Sequence, residues 1–210
     1  ANIEQAATAV LRGAVWGTGQ VCFSVERIYV HESIHDAFVE ELVRQAEELT
    51  LNYPDPRTGD IGPFIMEQQA AIVDAHLEDA LAKGAVLQTG GKSEKLGGGL
   101  FMRPVVLTEV NHEMTIMREE TFGPIMPVMR YRTEEEAIEL ANDTYYGLSA
   151  SVIAGTEEEA ARIGERINAG TISMQDTFLT MFKTRDIGTD SFTCSGLGGH
   201  RPGPSAIFCY

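Results

Sequence analysis

The sequence predicts an α/β protein with a three-layer α/β/α arrangement, in which helices cover both faces of a largely parallel sheet. Segments with apolar residues at helical spacing alternate with short runs of β-branched and aromatic residues, and this alternation is typical of parallel sheets. The chain has 210 residues, of which 43% are hydrophobic and 22% charged, as in globular proteins. This length is sufficient for one substantial core, so we expect a single domain or nearly one.

Five helices are predicted from apolar residues that recur every three or four positions and from capping residues. A glycine caps the end of the third helix, and a Thr followed three residues later by Glu opens the fourth and the fifth. We expect these helices over residues 3–16, 33–49 (opening at Ser33), 69–81 (capped by Gly84), 133–142 (opened by Thr133 and Glu136) and from 156 onward (opened by Thr156 and Glu159).

Strands are predicted between the helices, where β-branched and aromatic residues are concentrated. Pro104 lies within one of these runs and marks an edge strand or a bulge, because proline cannot donate a ladder hydrogen bond. Residues 54–63 are a run of turn formers and predict a surface loop. The expected strands cover residues 25–30, 85–89, 100–106, 125–131, 148–154 and 171–174.

The C-terminal part of the chain has a different character. Residues 175–205 are rich in Gly, Ser, Thr and Pro and show no periodicity, which predicts a long functional or interface-covering excursion. Residues 206–210 are apolar and predict one more strand, at the edge of the sheet. We therefore expect a catalytic α/β core over 1–174, followed over 175–210 by an excursion and an oligomerisation-type strand of the same domain.

Charge and composition exclude several classes of function. A formal net charge of -15 repels phosphate backbones and anionic membrane surfaces, so we expect neither nucleic acid nor membrane as a partner. No apolar run approaches the length of a membrane span, and the first residues do not resemble a signal peptide. Cys22, Cys194 and Cys209 have unrelated spacings, so no disulfide framework or metal site is predicted and a cytoplasmic location is expected.

Cys22 is the leading candidate for a catalytic residue. It ends the glycine-rich segment Gly17–Cys22 between a predicted helix and a predicted strand, a position where a thiol can be held against a substrate. A lone cysteine is also often a small buried hydrophobe, so both interpretations remain open on the residues alone. The five histidines lie in unrelated contexts, and we expect each to be a solvated surface residue.

Two polar segments are further candidates. Glu119-Glu120 precedes Thr121-Phe122-Gly123-Pro124, and Asn142-Asp143 precedes Tyr146-Gly147-Leu148. Each also has a structural interpretation, since the glutamates suit an acidic turn and Asn142 suits the end of a helix. Taken alone, neither segment identifies a function.

Taken together, these segments resemble the NAD(P)-dependent aldehyde dehydrogenase family. The resemblance covers residues 1 to about 174. It lies in the order and spacing of Gly19-Gln20-Val21-Cys22 with Arg27, Asp55-Pro56 with Ile61-Gly62-Pro63, Glu119 to Pro124, Ala141-Asn142-Asp143 with Tyr146 to Ala150, and Gly170-Thr171-Ile172.

The resemblance implies a function for Cys22, Glu120 and Phe122. Cys22 would attack an aldehyde to form a thiohemiacetal, which becomes a thioester after oxidation by NAD or NADP and is then hydrolysed to a carboxylic acid. The backbone N–H of Cys22 and an Asn side chain outside this chain would stabilise the oxyanion. Glu120 would bind the hydroxyls of the nicotinamide ribose, and Phe122 would bound the nicotinamide ring. Arg27 and Asn142 would shape the scaffold.

The chain departs from the family pattern in two places. The cofactor-binding domain and the Glu-Leu-Gly-Gly segment with the general base, which normally precede this region, are not found in these residues. We therefore expect an N-terminally truncated catalytic domain, inactive alone, from a protein more than twice this length. After Met174 the sequence also differs from relatives at their substrate entrance. The resemblance leaves open the aldehyde, the choice between NAD and NADP, and whether water or coenzyme A accepts the acyl group.

The expected partners are a small-molecule aldehyde, the missing cofactor-binding domain and further copies of the chain. In such enzymes the C-terminal strand joins an intersubunit sheet, and an unpaired apolar edge is an association site, so we expect a homodimer or tetramer. Two other functions remain alternatives. One is a non-catalytic oligomerisation module of the same fold, and the other is a cysteine hydrolase or acyltransferase that uses Cys22.

Overall fold

The computed structural model describes residues 2–177 and the backbone of one short strand, Phe192–Thr193. The chain divides into two compact units, Val10–Tyr131 and the combination of Ala1–Ala9 with Arg132–Tyr210. Each unit is described by itself below.

Some expectations fall outside this description. The division into units does not test the domain boundary expected at residue 174, which stays a prediction. The strand expected over 206–210 and most of the excursion over 175–205 lie outside the described residues. Among the residues that are described, no helix has the length and apolar character needed to cross a bilayer.

The unit Val10–Tyr131 is built on a four-stranded sheet of order β1-β6-β5-β2. Strands β1, β6 and β5 run parallel, and β2 pairs antiparallel at the edge, which confirms the predicted α/β class with a largely parallel sheet. The elements from the start of the chain to the end of this unit are α1 (Ile3–Val15), a 3-10 turn (Trp16–Gly19), β1 (Ile28–His31), α2 (Glu32–Glu48), α3 (Glu67–Ala82), β2 (Val86–Thr89), β3 (Glu94–Leu96), β4 (Gly99–Phe101), β5 (Val105–Thr108), a 3-10 turn (Thr115–Met117) and β6 (Ile125–Tyr131).

The central strands are buried because they are apolar on both faces, as expected for parallel strands beneath helices. All four residues of β5 are buried, as are the first four of β6. The apolar stripe of α3 shares a core with alternate residues of β5, and α2 contacts all four strands of the sheet. The core between α3 and the sheet includes Ala70, Val73, Leu77, Ala80, Val105, Leu107 and Ile125.

The second unit contains two helices with acidic first turns, which suit the positive end of the helix dipole. Thr133 and Thr156 cap these helices by accepting hydrogen bonds from Glu136 and Glu159, as the capping boxes predict. Strands β8 and β9 pair in parallel, and β10 pairs antiparallel with β7. The elements are α4 (Glu134–Asn142), β7 (Tyr146–Gly147), β8 (Ser149–Val152), α5 (Glu157–Gly164), β9 (Thr171–Met174) and β10 (Phe192–Thr193).

Two predicted strands differ from the structure. The strand expected over 100–106 is divided at Pro104 into β4, which pairs with β3 in a hairpin, and β5, which belongs to the main sheet. The strand expected over 25–30 begins only at Ile28, because Ser24 and Val25 are hydrogen-bonded to Gly13 at the end of α1.

The start of α2 also differs from the prediction. The helix begins at Glu32, and His31 caps it by accepting the backbone N–H of Ser33 on its Nδ1 atom. Ser33 therefore lies inside the first turn and is not the cap.

Candidate active site

The cysteine turn, Gly17–Cys22, has a backbone that few sequences can adopt. Gly17, Thr18 and Gly19 have φ of 60°, 61° and 69° in succession, and this left-handed region is accessible mainly to glycine. Thr18 tolerates this conformation because its hydroxyl donates to the carbonyl of Gly62 at 3.1 Å. The turn reverses the chain after α1 and leaves Cys22 exposed to solvent.

The side chain of Gln20 hydrogen-bonds both to the cysteine turn and to a separate segment. Its amide nitrogen donates to the carbonyl of Gly17 within the turn at 3.3 Å, and its amide oxygen accepts the backbone N–H of Ile65 at 2.9 Å. With the bond from Thr18 to Gly62, this fastens the turn to the end of the predicted surface loop and to the segment that follows it. The segment Ile61-Gly62-Pro63, which is part of the family resemblance, thus helps to support the cysteine turn.

A backbone contact joins the cysteine turn to the Glu120 loop, Glu120–Gly123. A Cβ atom built on Gly19 would lie 2.3 Å from the carbonyl oxygen of Gly123 and 3.0 Å from that of Ala14. On the other side, a Cβ atom on Gly123 would lie 2.7 Å from the side chain of Val73 in α3. Since such distances are well below van der Waals contact, glycine is required at Gly19 for the two segments to approach, and at Gly123 for the loop to approach α3.

Thr121 anchors the Glu120 loop through all of its polar groups. Its backbone carbonyl accepts the side-chain amide of Gln69 at 2.8 Å, and its hydroxyl is 3.2 Å from Nδ1 of His76. Its backbone N–H donates to the carboxylate of Glu26, with distances of 3.0 and 3.2 Å to the two oxygens. Thr121 is 2% exposed, so the middle of the loop is buried and fixed.

Glu26 connects the loop to the segment that follows Cys22. Its carboxylate also accepts the backbone N–H of Phe122 at 2.8 Å. Burial raises the pKa of Glu26 to about 6, the two backbone N–H groups oppose this rise, Glu120 adds to it and Arg27 opposes it. Burial is the largest of these effects, so the pKa of this carboxyl stays raised despite the two backbone N–H groups.

The predicted cofactor residues, Glu120 and Phe122, occupy the two sides of the buried Thr121. Glu120 is exposed, and incomplete hydration raises the pKa of its carboxyl. Among the described residues, no ion pair or hydrogen bond engages that carboxylate. Phe122 is half-buried, and its φ of 54° is unusual for a residue with a side chain. The structure therefore brings Cys22, Glu120 and Phe122 into connected segments of one unit.

Arg27 and Asn142 each make side-chain contacts within their own unit. Arg27 donates to the hydroxyl of Tyr29 at 3.2 Å, and that hydroxyl is 2.9 Å from Nε2 of His112. Asn142 belongs to the other unit, where its side chain binds the carbonyl of Arg166 and the N–H of Asn168. The scaffold function that the resemblance implies for both residues stays a prediction.

Glu26 was not predicted from the sequence, and two histidines differ from their predicted location. Glu26 lies in a run that resembles a strand, where a carboxylate is unremarkable, and its partners are 95 and 96 residues away. The expectation that every histidine is a solvated surface residue is wrong for His35 and His76, which are 1% and 9% exposed. The sequence contained a signal for His76, because this residue lies on the apolar stripe of α3. In the structure, burial lowers the pKa of His76.

Comparison with known proteins supports the resemblance. The sequence pattern described as "Aldehyde dehydrogenase family" matches residues 1–202. A Mycobacterium ulcerans protein named as a putative NADP(+) succinate-semialdehyde dehydrogenase is 37% identical over 209 residues, which are 100% of this chain and 40% of that protein. An aminoaldehyde dehydrogenase of Arabidopsis thaliana is 37% identical over 172 residues, covering 81% of this chain and 34% of that protein.

Solved structures agree with this result. PutA of Anabaena variabilis has a TM-score of 0.95 and 51% identity, covering 99% of this chain and 44% of that chain. A betaine aldehyde dehydrogenase of Staphylococcus aureus in complex with NAD+ has a TM-score of 0.91 and 32% identity, covering 100% of this chain and 42% of its own. The chain thus spans about two fifths of the length of the curated relatives it matches, such as the 40% of the Mycobacterium ulcerans protein.

Proposed function

The chain belongs to the aldehyde dehydrogenase family, and from this premise we propose that Cys22 is the nucleophile of an NAD(P)-dependent aldehyde dehydrogenase. The observation that carries the proposal is the backbone contact of Gly19 with Gly123, which connects the turn of an exposed thiol to a loop with an exposed carboxylate. These two segments are far apart in sequence. A site that joins them suits a reaction in which a nucleophile forms an adduct with a substrate beside a bound cofactor.

Cys22 would act first, as a thiolate that attacks the carbonyl carbon of an aldehyde. A carbon–sulfur bond forms, and the carbonyl oxygen becomes an oxyanion that the backbone N–H of Cys22 can stabilise by donating a hydrogen bond. Bound NAD(P)+ would supply the hydride acceptor for this adduct, whose carbon–hydrogen bond breaks as the carbon–oxygen double bond re-forms. The resulting thioester on Cys22 is then attacked by water, and cleavage of its carbon–sulfur bond releases the carboxylic acid and restores the thiol.

The residues present fit one end of such a cofactor. An exposed carboxylate with available acceptor positions is suited to two hydroxyl donors, such as those of a ribose, and Glu120 has this character. Phe122 provides an apolar ring on the same loop, where backbone hydrogen bonds from Thr121 and Phe122 to Glu26 hold its position. Glu120 would therefore bind the ribose, and Phe122 would limit the position of the nicotinamide.

The names of the relatives support an aldehyde as the class of substrate, but each name specifies a different aldehyde. They include succinate-semialdehyde, aminoaldehyde and betaine aldehyde dehydrogenases, with NADP(+) in one name and NAD+ in a structure title. The proposal is limited to a small-molecule aldehyde with NAD or NADP. A cytoplasmic location and assembly into a homodimer or tetramer are further parts of the proposal, supported by composition and by the apolar residues 206–210.

A cofactor-reduction assay tests this function. The protein expressed from its whole gene is given an aldehyde and NAD(P)+, and formation of NAD(P)H is followed by absorbance. We expect turnover that Cys22→Ser abolishes and that the matched controls Cys194→Ser and Cys209→Ser retain. The 210-residue chain alone is expected to be inactive, because the resemblance places most of the cofactor site elsewhere.

Each alternative function has a distinct outcome in the same experiment. Turnover of an activated ester by the protein, without oxidation of any aldehyde, would indicate a hydrolase instead. A Cys22 thiol that alkylating reagents do not modify, together with no turnover of either substrate, would indicate an assembly module. Oxidation of aldehyde that survives Cys22→Ser would contradict the assignment of the nucleophile.

A further inference from the structure

Glu26 is a charged side chain that the proposed chemistry does not use. It lies four residues after Cys22 and just before β1, in a segment that is anchored to the end of α1. The hydroxyl of Ser24 lies 3.2 Å from the carbonyls of Gly13 and Ala14, and Val25 donates its N–H to Gly13 at 3.1 Å. The backbone that carries Glu26 is therefore part of the same rigid support as the cysteine turn.

The carboxylate of Glu26 extends from this support to the Glu120 loop. It accepts the N–H groups of Thr121 and Phe122, which are the two peptide groups that directly follow Glu120. Within the part of the chain that the structure describes, no strand or helix pairs with these two groups, so the Glu26 side chain takes the place of a backbone partner. Hydrogen bonds from backbone N–H groups to a carboxylate are stronger than those to neutral acceptors.

Thr121 is thus the residue at which two separate parts of the fold bind the loop. Gln69 and His76 of α3 bind the carbonyl and the hydroxyl of Thr121, while Glu26 binds its N–H. Contacts from α3 alone would leave the peptide groups of Thr121 and Phe122 without an acceptor. Beside the backbone contact of Gly19 with Gly123, Glu26 thus links Glu120 and Phe122 by hydrogen bonds to the segment that follows Cys22.

We propose that Glu26 is a positioning residue which, through the N–H groups of Thr121 and Phe122, sets Glu120 and Phe122 at the correct place relative to Cys22. This inference rests on the proposed function, because it concerns the placement of a cofactor-binding loop. Glu26 does not contact the reacting atoms. It acts by holding the loop in the binding conformation before the cofactor arrives, which reduces the free energy needed to order the loop on binding.

The positioning depends on the charge of Glu26. The ionised carboxylate accepts both N–H groups, whereas protonation converts one of its oxygens into a donor and weakens this acceptance. The charged groups that act on it are Glu120 on the loop and Arg27 beside it on the chain, and the titratable group on the α3 side of the loop is His76, which contacts Thr121. The N–H groups of Thr121 and Phe122 lower the pKa of Glu26 against the rise caused by burial, so a loop that opens while Glu26 stays buried raises this pKa above about 6. Protonation therefore favours the open loop, which should loosen as the pH falls through about 6.

Hydrogen–deuterium exchange measures the loop without cofactor, aldehyde or turnover. In the protein from the whole gene, Glu26→Gln should accelerate exchange at Thr121 and Phe122 by about 10-fold or more, since charge-assisted bonds are lost. Glu40→Gln, an exposed glutamate on α2, is the matched control and should leave exchange unchanged. Wild-type exchange, corrected for its intrinsic pH dependence, should also increase below about pH 6, and this increase should be absent from Glu26→Gln.

Enzyme kinetics distinguish positioning from a general loss of structure. Glu26→Gln should raise KM for NAD(P)+ by about 10-fold while the alkylation rate of Cys22 stays within about twofold of wild type. Glu26→Asp, which keeps the charge on a shorter side chain, should recover part of both the exchange protection and the KM.

Specific results would overturn the inference. It is wrong if exchange at Thr121 and Phe122 is the same in Glu26→Gln and in Glu40→Gln. It is also wrong if the pH dependence survives Glu26→Gln, because His76 would then be its source. If Glu26→Gln does not fold, the wild-type pH series decides, and pH-independent exchange contradicts the inference. A wild-type protein that oxidises no aldehyde would refute the proposed function, while the exchange results would still test the positioning by Glu26.

Discussion

Gly19 should be the position where a single added methyl group most damages the candidate site. Its φ of 69° is unfavourable for alanine by about 1–2 kcal/mol. The added Cβ atom would also lie 2.3 Å from the carbonyl oxygen and 2.5 Å from the carbonyl carbon of Gly123, both backbone atoms that no side-chain rotation can move. Overpacking of this kind costs about 1–3 kcal/mol more. We therefore expect Gly19→Ala to lower the free energy of unfolding by about 2–5 kcal/mol.

Two other glycines separate the two contributions. Gly84, at the end of α3, has a φ of 100°, but a Cβ atom there would meet nothing within 4 Å, so Gly84→Ala reports the backbone cost alone. Gly91 has neither a positive φ nor a neighbour within 4 Å, and Gly91→Ala should be nearly neutral. The order of stability should be Gly91→Ala, then Gly84→Ala, then Gly19→Ala as the least stable.

Urea unfolding of the three variants, followed by circular dichroism, measures these free energies. The alkylation rate of Cys22 in the same samples shows whether the cysteine turn has moved, and only Gly19→Ala should change it. If Gly19→Ala is no less stable than Gly84→Ala, the close backbone approach of the cysteine turn to the Glu120 loop is incorrect.

Three further predictions concern charge and capping. The pKa of Glu26 is raised from 4.5 to about 6, so the folded state binds the proton of this carboxyl more tightly than the unfolded state does. The stability that this gives the fold is complete below about pH 4.5 and is lost as the pH rises through about 6. Urea unfolding should therefore show wild type losing about 2 kcal/mol relative to Glu26→Gln between about pH 4 and pH 7, and a constant difference would refute this. Glu120→Gln should raise KM for NAD(P)+ by about 10-fold or more, whereas Glu119→Gln should not; equal values in steady-state kinetics would argue against ribose binding by Glu120. Thr133→Ala should cost about 1 kcal/mol in thermal unfolding by removing the cap on Glu136, while Thr133→Ser should retain it, and equal losses in the two variants would exclude the cap.

Local patterns predicted the elements of the fold well, because helix caps and apolar periodicity act over a few residues. The capping boxes at Thr133 and Thr156 are present as expected, and the buried strand over 125–131 matches β6. The division of the predicted strand at Pro104 was harder to predict from the sequence. A proline marks an interruption, but which sheet receives each part depends on partners elsewhere in the chain.

The residues of the candidate site also differ in whether local sequence could predict them. Cys22, Glu120 and Phe122 were predicted, because their surrounding motifs resemble a known family. Glu26 was not predicted, since a carboxylate in a short strand-like run is ordinary until its distant N–H partners are known. The same reason applies to His76, whose hydrogen bond to Thr121 spans 45 residues. Long-range side-chain contacts are therefore the part of this site that required the structure.

Trapping the acyl group on Cys22 tests the central claim most directly. The protein from the whole gene is mixed with an aldehyde and NAD(P)+, quenched in acid, and digested for mass spectrometry. The account predicts an added acyl mass on the peptide that contains Cys22, only when both aldehyde and NAD(P)+ are present, and none in Cys22→Ser. Aldehyde oxidation without any acyl group on Cys22, or acylation of Cys22 by the aldehyde in the absence of NAD(P)+, would contradict it.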